Sequence, residues 1–182
     1  MDVTHWGSNI MPRLIVNQLQ RQLKGIKFVN SGNFYWSPKT KTIHYNSAVL
    51  ETEAGVWALI HEAAHAKLDH QSYMTDMGLL GLEVTAWQAA EDVATELGLS
   101  IDSDHVQECL NTYRDWLYAR STCPTCELNS LQIEETVYLC VNCMTRWSVS
   151  QSRFCRPYRM VASNKQELET RGQKQTTDIA FR

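Results

Sequence analysis

The sequence predicts an α+β fold, in which a small antiparallel sheet packs on two long helices and a cysteine-rich module follows. Short runs of β-branched and aromatic residues precede long segments with helical hydrophobic spacing, and two Cys-x-x-Cys pairs come after them. The 182 residues suit one domain with a small module. We therefore expect a main domain over 1–120, a cysteine module with a basic extension over 121–161, and a poorly ordered polar tail over 162–182.

The composition excludes several classes of protein. Hydrophobic residues make up 43% of the chain and charged residues 20%, which excludes wholesale disorder. No run of 18 apolar residues occurs, so we expect no membrane-spanning helix. The N-terminal segment lacks an apolar core after a basic start, which predicts a cytoplasmic protein. Residues 50–110 hold twelve acidic residues against the single Lys67, so any contact with nucleic acid would involve the ends of the chain.

The N-terminal part is predicted to form one helix and the sheet. Residues 11–24 have apolar side chains at helical spacing, and Gly25 can end that helix. These apolar positions are Leu14, Ile15, Leu19 and Leu23. Residues 26–45 contain the runs IKFV, NFYW and TIHY, separated by NSGN and SPKTK, which carry turn chemistry. We interpret residues 26–45 as a small antiparallel sheet.

Three helices are predicted to follow the sheet. The strongest pattern covers residues 51–69, with one apolar stripe. The stripe consists of Val56, Leu59, Ile60, Ala63, Ala64 and Leu68. Residues 79–97 form a second long helix, which Gly98 closes. Ser103 can cap a third helix over 104–119, whose inward side chains are Val106, Leu110, Tyr113, Trp116 and Leu117.

The sequence His61-Glu62-Ala63-Ala64-His65 is an HExxH motif on the strongest predicted helix. Because His61 and His65 are four residues apart, they project from one helix face, one turn apart. Two imidazoles at this spacing can bind one zinc ion, and Glu62 can act as general base beside it. The alternative is two ordinary surface histidines on an acidic helix.

A catalytic zinc site needs a third protein ligand. Glu83 is our choice because it lies eighteen residues after His65, on the next predicted helix, and a turn back would bring it to the histidine pair. Glu91, two turns further along roughly the same face, is an alternative. His70 is another, although it could bind only if the helix broke near Asp69.

These residues resemble the minimal members of the thermolysin-like zinc peptidases, the gluzincins. Residues 26–97 look like the ImmA/IrrE-type peptidases, in which a small sheet, an HExxH helix and a glutamate-bearing helix follow one another. The sequence Glu83-Val-Thr-Ala86 matches the E-x-x-A context of the metal-binding glutamate of that family. Trp87 departs from the pattern, because related peptidases often have Asp or Asn there.

The resemblance implies a zinc-dependent endopeptidase that cuts a protein substrate, typically a regulator. It implies His61, His65 and Glu83 as zinc ligands, and Glu62 as the base that takes a proton from water and passes it to the leaving amine. It also implies that the strand before the HExxH helix, here Thr42–Tyr45, is the edge to which an extended substrate adds. Nothing in the sequence selects an oxyanion-stabilising donor among Tyr73, His105 and Tyr113.

The cysteine pairs Cys123-x-x-Cys126 and Cys140-x-x-Cys143 are separated by thirteen residues and resemble a zinc ribbon. Four thiolates leave no open position, so this second zinc is expected to be structural, within strands near Ile133–Leu139 and Arg146–Val149. The alternative is four ordinary reduced cysteines. Cys109 is interpreted as a small core residue, and Cys155 as a free thiol.

Two further interpretations stay open at this point. The ribbon and the segment with Arg153, Arg156 and Arg159 could bind nucleic acid or a protein partner, with a structural or inactive HExxH site. Alternatively, the combination of HExxH and ribbon resembles SprT-like proteases, which act on DNA-bound proteins. That family uses a third histidine further downstream, whereas no histidine lies between His70 and His105 here.

Overall fold

The structure, a computed structural model, describes residues 12–151, 153 and 157–161. Within them the chain is α+β, as predicted, with helices and two small sheets. The helices are α1 (Pro12–Gln22), α2 (Glu53–Lys67), α3 (Asp76–Glu96) and α4 (Ser103–Ser121). The strands are β1 (Lys27–Asn30), β2 (Tyr35–Ser37), β3 (Thr42–Tyr45), β4 (Leu131–Glu134), β5 (Val137–Leu139), β6 (Arg146–Val149) and β7 (Arg159–Val161).

The first sheet has the strand order β1-β3-β2. The pair β2–β3 is antiparallel, with Trp36 opposite Ile43, but β1 runs parallel to β3. The prediction of an antiparallel sheet is therefore wrong for one of the two pairs. The prediction that Thr42–Tyr45 forms an edge is also wrong, because β3 is the central strand. The reason is that a long-range pairing of β1 displaces β3 from the edge, and local sequence patterns do not encode such a pairing.

The helix α1 buries Ile15, Val16 and Leu19 and exposes Leu14, so the inward face is rotated from the predicted one. Gly25 has a φ of 88°, the left-handed conformation that follows many helices. The predicted residue Met11 lies outside the described residues.

The helix α2 begins after Thr52, whose hydroxyl oxygen accepts a 3.0 Å hydrogen bond from the Gly55 backbone N–H. Its apolar stripe is buried as predicted, except that Leu68 caps the C-terminus and is exposed. The helix α3 starts at Asp76, three residues earlier than predicted, and Gly98 follows its end with a φ of 72°. The helix α4 buries Val106, Leu110, Tyr113 and Trp116, whereas Leu117 is only partly buried.

The second sheet is antiparallel, with the order β4-β5-β6-β7. The predicted strand over 133–139 is in fact a hairpin, because the chain turns at Glu135 and Thr136. The predicted strand over Arg146–Val149 is confirmed as β6. A buried cluster of Cys123, Tyr138, Cys140, Trp147 and Val149 forms the core of this sheet.

The described residues divide into two compact units. One comprises residues 12–71 and 85–102, and the other comprises residues 72–84 together with the described part of 103–161. The predicted boundary between residues 120 and 121 stays a prediction, and the tail over 162–182 lies outside the described residues. None of the described helices combines the length and apolar character needed to cross a membrane.

Candidate metal centres

The HExxH motif occupies the most buried part of α2. His61, Glu62 and His65 are all buried, and His65 is completely inaccessible. Helical spacing brings the two histidines together, with their rings edge to face and their Nε2 atoms 3.1 Å apart. Both imidazoles therefore direct the same type of ring nitrogen toward a common point.

Glu83 on α3 completes the cluster that was expected from the sequence. One ligand atom each from His61, His65 and Glu83 lies within 4.8 Å of the other two, and Glu83 is completely buried. Of the alternatives, Glu91 is exposed, and His70 is not in this group.

The donor set suits zinc. Two imidazole nitrogens and one carboxylate oxygen are the protein ligands of catalytic zinc sites that keep an open position. At zinc–nitrogen distances of about 2.05 Å and tetrahedral angles, two nitrogens would lie about 3.3 Å apart, close to the observed 3.1 Å. The described residues thus form a site consistent with a metal ion such as zinc.

The carboxylate of Glu62 is held by the first sheet. The backbone N–H of Trp36 on β2 donates a buried 2.7 Å hydrogen bond to Glu62 Oε2. A carboxylate can accept hydrogen bonds on both oxygens and can take up a proton. The candidate base is therefore fixed in place between α2 and the outer strand β2.

Two tryptophans support the site, and the sequence patterns did not single out these roles. The Trp87 ring stacks on His61 with ring centroids 4.2 Å apart and an interplanar angle of 25°. Trp36 is completely buried and donates its indole Nε1–H to the backbone carbonyl of His70 over 2.9 Å. The run NFYW predicted a strand for Trp36, but no sequence signal predicted its hydrogen bonds.

The four cysteines of the second sheet form a separate cluster within metal-binding distance, compatible with a zinc ribbon. Cys123 Sγ and Cys143 Sγ are 3.6 Å apart, and Cys126 Sγ and Cys140 Sγ are 3.5 Å apart. Thiolates bound to one tetrahedral zinc at about 2.3 Å would be separated by about 3.8 Å.

The two Cys-x-x-Cys turns have the same backbone form. In each, the residue after the second cysteine takes a positive φ, 61° at Glu127 and 59° at Met144. Each of these residues donates its N–H to the carbonyl of the first cysteine over 3.0 Å. A hydrogen bond from Ser130 and backbone N–H groups, including that of Cys143, lower the pKa of Cys140 to about 6. A low pKa favours the thiolate, the form that binds metal.

Cys109 is outside both clusters. It is partly buried on α4, with its Sγ 3.6 Å from His105 Nε2. Burial, followed by the charges of Glu108 and Glu83, raises the pKa of the Cys109 thiol. Its partial burial does not confirm the prediction of a core residue. Cys155 lies outside the described residues.

A buried polar network joins the second sheet to α3 and α4 within the second unit. Arg120 forms an ion pair with Asp76, with 2.6 Å between Nε and Oδ2, and both side chains are buried. The Tyr138 hydroxyl also donates to Asp76 Oδ2, and the Trp147 indole donates to the Arg120 carbonyl over 3.0 Å. Burial, then the hydrogen bond to Asp76, raises the pKa of Tyr138. The sequence patterns did not predict this network, because its partners are up to 62 residues apart.

The basic segment is described only in part. The Cζ atom of Arg153 lies 3.4 Å from the centroid of the Tyr113 ring. The guanidinium Nη1 of Arg159 donates a 3.0 Å hydrogen bond to the Thr122 carbonyl. Arg156 lies outside the described residues. Binding of nucleic acid or a partner through this segment stays a prediction, as does an oxyanion-stabilising role for Tyr73, His105 or Tyr113.

No protein-family model matches the chain, and the comparisons with curated proteins and with solved structures found no match.

Proposed function

We propose that the protein is a zinc-dependent endopeptidase with His61, His65 and Glu83 as its zinc ligands. The observation that carries the proposal is that these three residues, on two different helices, meet in one buried cluster. A structural metal site has no need of an adjacent base, so the presence of Glu62 beside His61 favours a catalytic role over a purely structural one.

The chain's own residues account for the proton transfers of peptide hydrolysis. A zinc ion in this cluster would polarise the scissile carbonyl and acidify the attacking water. Glu62 takes the proton from that water and delivers it to the amine nitrogen as the peptide bond breaks. The hydrogen bond from the Trp36 N–H holds Glu62 in one orientation while it does so.

The substrate edge in this proposal is β2. This strand lies at the outside of the first sheet, and its residue Trp36 contacts Glu62 directly. An extended protein segment that binds along β2 would therefore run beside the catalytic base, while the Trp36 N–H stays bonded to Glu62. This assignment replaces the strand Thr42–Tyr45, which is internal.

The Cys123, Cys126, Cys140 and Cys143 cluster is proposed to hold a structural zinc. Its four thiolates leave no position open for substrate. The third ligand favours this proposal over a SprT-like protease, because a glutamate joins the two histidines where that family uses a histidine. In this proposal the protein substrate is a regulator, as the resemblance to ImmA/IrrE-type peptidases implies.

Cleavage of a proteome-derived peptide library, read as new N-termini by mass spectrometry, tests the proposal. Wild-type protein with zinc should generate new termini, and Glu62→Gln should generate none while it binds zinc normally. The matched control is Glu91→Gln, which changes an exposed position on α3. This variant should cleave like wild type. Equal profiles for wild type and Glu62→Gln would refute the peptidase and favour the binding-module alternative.

A further inference from the structure

The end of α2 is a turn that folds the chain back onto the HExxH motif. Asp69 takes a positive φ of 50°, and its N–H donates to the Ala66 carbonyl over 3.2 Å. The N–H of His70 donates to the His65 carbonyl over 3.0 Å. These two bonds define a Schellman motif, in which the residue after the left-handed position returns to the last turn of the helix.

This turn places His70 against His65. A Schellman motif usually closes with an apolar contact between these two positions. Here the contact is polar, because His65 Nδ1 and His70 Nδ1 lie 2.8 Å apart and both side chains are buried. The backbone carbonyl of His70 accepts a hydrogen bond from the Trp36 indole N–H. The Nε2 of His70 lies 3.4 Å from Thr85 Oγ1.

A metal ion in the cluster would select one arrangement of protons. The Nε2 of His65 faces His61, so this nitrogen would offer its lone pair to the ion. The proton of a neutral His65 would then lie on Nδ1 and would be donated to His70 Nδ1. His70 would consequently carry its own proton on Nε2, which faces the Thr85 hydroxyl oxygen.

We propose that His70 is a positioning residue, which accepts a hydrogen bond from His65 Nδ1–H and thereby fixes the ring orientation and tautomer of that zinc ligand. This proposal rests on the metal site of the proposed function, but not on peptidase activity. Partners of this kind on the far nitrogen of a metal-binding histidine typically change metal affinity 10–100-fold when they are removed. His70, one of the candidate zinc ligands in the sequence, thus acts through His65.

Two substitutions with the same branched shape and the same number of side-chain non-hydrogen atoms separate this role from packing. In His70→Asn the amide oxygen can take the place of Nδ1 and accept the hydrogen bond, whereas His70→Leu fills the space without an acceptor. The cysteine cluster is first loaded with zinc. The zinc affinity of the site formed by His61, His65 and Glu83 is then measured by competition with a chromophoric chelator. We expect His70→Asn to bind within about threefold of wild type and His70→Leu to bind about 10–100-fold more weakly.

Equal affinities for the two variants, whether both unchanged or both weakened, would overturn the positioning role. Wild-type protein that binds no second zinc would overturn it together with the proposed function. A difference between the variants without any peptide cleavage would support His70 while the peptidase proposal failed. If His70→Leu does not fold, ¹⁵N chemical shifts of wild type decide, because a proton on His70 Nδ1 in the zinc-loaded protein contradicts the proposal.

Discussion

The backbone N–H of Trp36 donates a buried 2.7 Å hydrogen bond to Glu62 Oε2, which joins the outer strand of the first sheet to the candidate catalytic base. The same tryptophan donates its indole N–H to the carbonyl of His70. One residue of β2 therefore restrains both the base and the residue that contacts His65. The geometry of the site therefore depends on correct folding of the first sheet.

The hydrogen bond at Trp36 predicts different stabilities for two substitutions of Glu62. Glu62→Gln keeps an oxygen that can accept the bond, so its free energy of unfolding should stay within about 1 kcal/mol of wild type. Glu62→Ala leaves the buried N–H without this acceptor and should cost about 1–3 kcal/mol. Urea denaturation of the zinc-loaded proteins measures both values, and equal stabilities would show that the bond contributes nothing.

The start of α2 predicts that a methyl group is not tolerated at Gly55. A Cβ there would overlap the backbone carbonyl of Val49, which cannot move without shifting the cap of the helix. Gly55→Ala should lower the melting temperature strongly. Gly81→Ala is the matched control, because that helical position has no atom within 4 Å of the new Cβ, and it should stabilise by about 0.5–1 kcal/mol. A Gly55→Ala protein as stable as wild type would contradict this packing.

The buried pair of Asp76 and Arg120 predicts a large loss of stability when one partner is removed. Asp76→Ala leaves the Arg120 charge buried without its carboxylate, and we expect a cost of about 3–5 kcal/mol. The exposed pair Lys67–Glu96 is the comparison, because Glu96→Ala should change stability by less than about 1 kcal/mol. Similar effects in both variants would show that burial of the first pair is not important.

The cysteine cluster predicts a zinc-dependent second sheet. Cys126→Ser should remove one zinc per chain and make residues 121–161 susceptible to proteolysis, because a module this small depends on its metal for stability. Cys109→Ser, outside the cluster, should retain full zinc content and resistance. A Cys126→Ser protein that kept its zinc would contradict the assignment of these four ligands.

Hydrophobic periodicity was sufficient to predict α2, and it placed His61 and His65 on one buried face. It did not distinguish Glu83 from Glu91, because the eight residues that separate them turn the helix by only about 80° beyond two full turns. The exposure of Glu91 and the burial of Glu83 depend on which side of α3 packs inward, a property of tertiary contacts.

Two other features could not be predicted from sequence patterns, because one depends on a long-range strand pairing and the other on an uncommon backbone conformation. The parallel pairing of β1 with β3 depends on residues Lys27 and Thr42, fifteen positions apart. The position of His70 depends on the left-handed conformation of Asp69, which is uncommon for residues other than glycine. The sequence therefore predicted the helices and the metal-ligand types better than the sheet topology and the contacts around the ligands.

The most direct test of the account is the zinc content per chain of purified wild type and of His61→Ala. We predict two zinc ions in wild type and one in His61→Ala, because the substitution removes a ligand of the HExxH cluster and leaves the four cysteines intact. One zinc ion in both proteins, even after zinc is added, would contradict a metal site at His61, His65 and Glu83.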